Sequence, residues 1–218
     1  MTEQELQQAQ QQLEQQQAES QEELAALLAL LLLLAIQAGF TAAAAALVLP
    51  GLVFPREAAG RFVESYSEKL ARQVTRTTGK EIAEVIRTAR AEGWAETKLR
   101  DEVRAVLNRA ANERAPVIGM SEAVRMTNIG AMLAYQQAGF QYKRWVAVGD
   151  NRTCAFCMAL DGKIIPMAEP FARVGDVIRG MDDKGQEVEM KVTYMDAMSP
   201  PLHPNCRCVL LPANAPIS

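Results

Sequence analysis

A single histidine, His203, stands in a chain of 218 residues, and that scarcity removes most of the material from which general acid–base catalysis is built. No His-Glu-x-x-His helix, nucleotide-deaminase signature or hydrolase triad occurs, so the common hydrolytic chemistries lack their sequence marks. Lys and Arg are missing altogether from residues 1–23, and over the whole chain the net charge is −3. A strongly basic nucleic-acid footprint is therefore absent, which leaves at most non-specific contact with packed DNA. The missing positive charge ahead of a long apolar run also argues against a cleaved secretory signal. Without an oxidising compartment, stable disulfides are disfavoured.

Cysteine is scarce as well, and concentrated. All four cysteines and the one histidine fall into two short clusters, Cys154 with Cys157, and His203 with Cys206 and Cys208. A thiolate pair two residues apart grips a metal ion from a tight turn, and a second knuckle bearing His and Cys completes a tetrahedron. This spacing is of the zinc-ribbon type, and structural zinc is the expected cofactor. Five candidates exceed four positions. Cys154, Cys157, His203 and Cys206 are one set; Cys208 in place of His203 is the alternative, since residues two apart on a strand share a face. Two disulfides are a further alternative. A catalytic zinc would need an open position and a base, for which Glu122, Asp150 and Asp161 are the nearest carboxylates by motif; no catalytic residue is expected. Arg152 and Arg207, beside the cysteines, offer contacts for an anion.

Taken in order, residues 1–23 hold ten glutamines, six glutamates and only Leu6 and Leu13 as large apolar residues, a composition suited to a tail or a frayed helix. Those leucines and the region after Leu24 sit near heptad spacing. From 24 to 49 only Gln37 and Thr41 are polar. That length would span a bilayer, but the flanks lack an aromatic belt and a preceding basic cluster, so a helix, or two broken near Gly39, buried all round in a bundle or oligomer is expected instead. Three amphipathic helices follow within 55–111: one with Phe62, Tyr66, Leu70 and Val74 inward and a break at Thr77-Thr78-Gly79, one over 80–91, and one over 95–111 with Leu99, Val103, Val106 and Leu107 inward. Pro116–Gly119 reads as a link and Ser121 as the N-cap of a helix ending at Gly139. Strands are expected near Tyr142–Val148, in a hairpin about Asp161-Gly162, in a second hairpin about 182–185, and at 209–211. The division is thus 1–23 tail, 24–54 apolar helical segment, 55–139 helical domain and 140–218 Cys/His β-rich domain. The fold class is α+β, a helical N-terminal region followed by a small zinc-stapled β-rich domain, the staple being needed where large apolar side chains are few.

The order of these parts resembles a known family. SEAVRMTNIGAMLAYQQAG, then Trp145, then DNRTCAFCMALDGK, then PPLHPNCRC is similar to the phage head-morphogenesis, minor head proteins of the Mu F-like class over about residues 115–212. The resemblance implies a structural virion protein of a tailed dsDNA bacteriophage, portal-associated in the head interior, present in the host cytoplasm during assembly, and acting in head assembly or in DNA packaging and release. It implies the portal, major capsid or scaffold protein as partners, an oligomeric setting in the virion, and no catalytic residues. The alternatives are a membrane-associated protein anchored by residues 24–49 and a zinc-dependent hydrolase.

Overall fold

The computed structural model describes residues 3–48 and 51–215. It is α+β, with helices α1 (Glu3–Ala46), α2 (Arg56–Glu92), α3 (Glu96–Arg109), α4 (Ala115–Gln137) and α5 (Ala155–Leu160), and strands β1 (Tyr142–Val146), β2 (Ile164–Pro166), β3 (Val177–Met181), β4 (Glu187–Lys191) and β5 (Val209–Ala213). These form two compact units, Met1–Leu33 with Glu57–Pro116, and Leu34–Arg56 with Val117–Ser218. The second unit therefore groups most of α4 and the end of α1 with the strands and the cysteine-bearing segments between them.

In the first unit, Ala59, Val63, Tyr66, Ser67, Leu70 and Ala71 are buried along one side of α2, a helical period. Phe62, expected inward, is exposed and stacks on Tyr66 at 5.6 Å; Leu107 on α3 is likewise outward while Val106 is buried. The break expected at Thr77-Thr78-Gly79 does not occur. Thr75, Thr77 and Thr78 each donate a hydroxyl hydrogen bond to the carbonyl four residues back, so these residues are satisfied inside a helix, and α2 runs on until Gly93 at φ 64° stops it. The Pro116–Gly119 link is also helical. A π-helical turn, Ala110–Arg114, joins α3 to α4, Arg114 bonds Glu81 and Thr78, and Pro116 follows just after that turn.

α1 is continuous through Gly39. It is not buried all round: Leu32, Ile36, Phe40 and Ala43 are buried, whereas Leu27, Leu30 and Leu31 are about 60 % exposed. The stretch Ala18–Ala46 is long and apolar enough to cross a membrane by length and composition, with 22 % of its most apolar window buried. The side chains of Leu6 and Leu13 lie outside the described residues, as do Leu49 and Pro50.

In the second unit two glycines let α1 and α4 meet backbone to backbone. A Cβ on Gly39 would run into the Thr127 carbonyl, and one on Gly130 into the Ile36 carbonyl, so each helix supplies the gap the other fills. The antiparallel sheet has the order β2-β1-β5, and β3 pairs with β4 in a separate hairpin. The core joins Phe40 and Ala43 of α1, Ala131, Ala134 and Tyr135 of α4, Trp145, Phe171, Leu210 and three cysteines. Residues 158–160, expected as a strand, belong to α5.

Candidate metal centre

The first knuckle is a helix start. A turn at Gly149 (φ 74°) and Asp150, whose carboxylate accepts from Arg152 N and the Thr153 hydroxyl, delivers the chain to Cys154. Cys154 caps α5, its Sγ accepting from Cys157 N at 3.4 Å, and the helical turn brings Cys157 onto the same side. The second knuckle is a tight turn, with Cys206 N donating to His203 O and Asn205 at φ 61°, a left-handed conformation that asparagine tolerates.

Three contacts connect the clusters: Cys154 Sγ to His203 Nε2 at 2.9 Å, Cys157 Sγ to His203 Nε2 at 3.2 Å, and Cys157 Sγ to Cys206 Sγ at 3.5 Å. The edges of a tetrahedron built on ordinary Zn–S and Zn–N bonds are about 3.6–3.8 Å, so these groups stand inside that spacing and would move apart by a few tenths of an ångström to surround an ion. All four cysteines are free thiols. Among the described residues, Cys154, Cys157 and His203 have ligand atoms within 4.8 Å of one another, and so do Cys157, Cys206 and Cys208. Cys157 belongs to both sets. Either set could hold a metal ion.

The surroundings fit a cation. His203 Nδ1 lies 2.7 Å from the Pro204 carbonyl, which can only accept, so Nδ1 carries a proton and Nε2 is turned to the sulfurs. Contact with Cys157, then with His203, holds the Cys154 thiol down to about 4, while Cys154 pushes His203 up to about 9. The proton on Nε2 is thus the one a cation would replace. Cys206 is lowered by Cys157 and then Cys208; Cys157, crowded by Cys154, Cys206 and Cys208, is raised. Cys208 is favoured as thiolate by Cys157 but raised on balance to about 11 by Cys206 and burial. The indole N–H of Trp145, fully buried and with no partner at hydrogen-bonding geometry, acts on Cys208 in the sense of a donor.

The knuckles are braced from outside. Arg207 donates to both oxygens of Asp150 at 2.7 and 2.8 Å, which links the second knuckle to the turn before the first and keeps the Asp150 carboxyl below its ordinary range. Ser121 is no N-cap. It lies inside α4, donates to Val117 O and accepts from Asn205 N, tying α4 to the second knuckle. Asn128, also on α4, donates to Cys208 O and accepts from Leu210 N, and Tyr135 donates to Leu210 O. The remaining carboxylates are engaged: Asp161 accepts from Ala147 N, and Glu122 pairs with Arg125 at 3.2 Å in a largely buried pair. Arg152 lines the same cleft as the cysteines.

Ser121, Asn128 and the buried Lys143 were not singled out by sequence as partners of this region. For Lys143 a signal existed, because strand alternation puts it on the face of Trp145. It is fully buried, donates to Met198 O at 2.8 Å, and burial lowers it to about 8 against a small opposing effect of Glu169.

A family model described as Phage Mu protein F like protein matches residues 80–211. The matched span holds both knuckles and every brace named above. It covers more than half of the chain, which therefore belongs to this family of phage head-morphogenesis proteins. Comparison with curated proteins and with solved structures gives no match.

Proposed function

We propose that the chain is a structural minor head protein of a tailed dsDNA phage, in which Cys154, Cys157, His203 and Cys206 hold one structural zinc ion and the helical portion docks on the portal, capsid or scaffold protein. The observation that carries this reading is the coincidence of two things: the family match runs across the sulfur and imidazole contacts that join Cys154, His203, Cys157 and Cys206 in one chain. A thiolate-rich set suits a closed site, where zinc supplies folding energy rather than a reactive water. Cys208 stands behind it, beside Trp145, as a group that helps to place Cys206.

A non-enzymatic role is supported by the carboxylates. Glu122, Asp150 and Asp161 are each held by an arginine or a backbone N–H, and none is paired with another acid in the manner of an acid–base couple. The protein acts by contact, in head assembly or in packaging and release of DNA, from the head interior near the portal. Two measurements test the proposal together: elemental analysis of protein purified without chelator, expected to give about one zinc per chain, and mass spectrometry of purified phage particles, expected to find the chain in the head. Metal-free protein with native stability, or particles lacking the chain, would overturn it.

A further inference from the structure

Over residues 24–33, the outward face of α1 has no polar side chains where solvent should meet them. Leu27, Leu30 and Leu31 are about 60 % exposed, while Leu32 on the same helix is buried. A helix with one buried stripe normally turns charge outward; here the outward side is as apolar as the inward one. Leu13 and Leu6 continue the seven-residue step of Leu27 toward the N-terminus, with Ser20 between, the spacing of a helix seam.

Three occupants compete, and length and charge choose among them. From Leu34 onward α1 belongs to the second unit, where Gly39 and Gly130 lock it against α4 backbone to backbone. The apolar stretch left over, residues 24–33, is about 15 Å long, half of the roughly 30 Å of a bilayer core. Directly before it, the helical residues up to Glu23 carry six glutamates and no Lys or Arg, a flank repelled by anionic lipid surfaces. A second copy of the chain in parallel register would set the same glutamates side by side. A partner with lysine and arginine beside an apolar groove meets both halves of the helix.

We infer that Leu27, Leu30 and Leu31 form a docking face for an apolar groove rimmed by Lys and Arg on another protein of the phage head, the location in the head resting on the function proposed above. The test uses the full chain and two synthetic amphipathic helices of about four heptads, identical in their leucine seam, one flanked by lysines and one by glutamates. The lysine-flanked peptide is expected to bind roughly tenfold tighter or better than its twin, to weaken with rising salt, and to lose that advantage with the triple variant Leu27→Gln, Leu30→Gln, Leu31→Gln, whose far-ultraviolet dichroism and zinc content stay unchanged. Equal binding of the two peptides, or binding indifferent to the triple variant, overturns the face. So does a leucine-dependent dimer in sedimentation equilibrium, which assigns the face to a second copy, or leucine-dependent flotation with phosphatidylcholine–phosphatidylglycerol vesicles, which assigns it to a bilayer. Peptide selectivity together with absence from particles would instead overturn only the location in the head.

Discussion

Asn128 shows how much of the candidate metal centre is held by residues outside its Cys/His set. Its amide takes the Leu210 N–H and gives a hydrogen to Cys208 O, both within the buried core. Asn128→Ala leaves two buried backbone groups without partners, and a loss of about 1–3 kcal/mol is expected, measurable as a lower denaturation midpoint with zinc present. If Asn128→Ala unfolded at the wild-type midpoint, β5 would not depend on this clamp. Lys143 is the second instance. Its ammonium is buried and its pKa is lowered from 10.5 to about 8, so between those values the unfolded chain holds a proton that the folded chain has released. Stability from this group therefore rises as pH climbs from about 8 toward 10.5, by up to about 3 kcal/mol, and the cost of the buried charge is fully present below about 8. Lys143→Met, similar in length and uncharged, should lack that rise, so the difference between wild-type and variant unfolding profiles should itself climb over this range. A difference flat with pH would show that Lys143 stays charged in the fold.

At the scale of elements, the crossing of α1 and α4 decides which part of the apolar run is committed to the fold. Gly39 and Gly130 each leave room for the other helix's backbone, and a single methyl at either point meets a carbonyl rather than a movable side chain. Gly130→Ala is expected to destabilise the second unit by about 1–3 kcal/mol or more, although alanine is the better helix former by about 1 kcal/mol. The sign of the effect is the test. An exposed glycine on α2, Gly79, meets nothing within 4 Å, so Gly79→Ala should stabilise by helix propensity alone, and thermal melts of the two variants should move in opposite directions.

For the whole molecule, the candidate metal ligands and the end of α1 from Leu34 onward belong to the same unit. Chelation is expected to remove hydrogen-exchange protection from β1, β5 and α5 while leaving α2 and α3 protected, since the ligand residues all belong to the second unit. Deleting residues 1–23 should leave that unit folded, whereas deleting 1–54 takes Ile36, Phe40 and Ala43 from its core and should unfold it. Retained zinc and protection in the longer deletion would refute the shared core. Much of this was legible in the chain. That Cys154 and Cys157 would come beside His203, Cys206 and Cys208 was legible from spacing, because atoms that can share one ion recur at short, regular intervals, and the turns at Gly93, Gly139 and Asp182–Gly185 because they depend on local backbone freedom. The α+β class followed from the change of hydrophobic period after residue 140. What depended on the third dimension was anything set by a distant partner: that Thr77-Thr78-Gly79 stays helical, that Ser121 braces Asn205 instead of capping a helix, that Lys143 is buried, and that the apolar run is divided between a locked crossing and an exposed leucine face. Spacing along the chain fixes which groups can meet nearby, but burial is decided by the surfaces that folding brings against them.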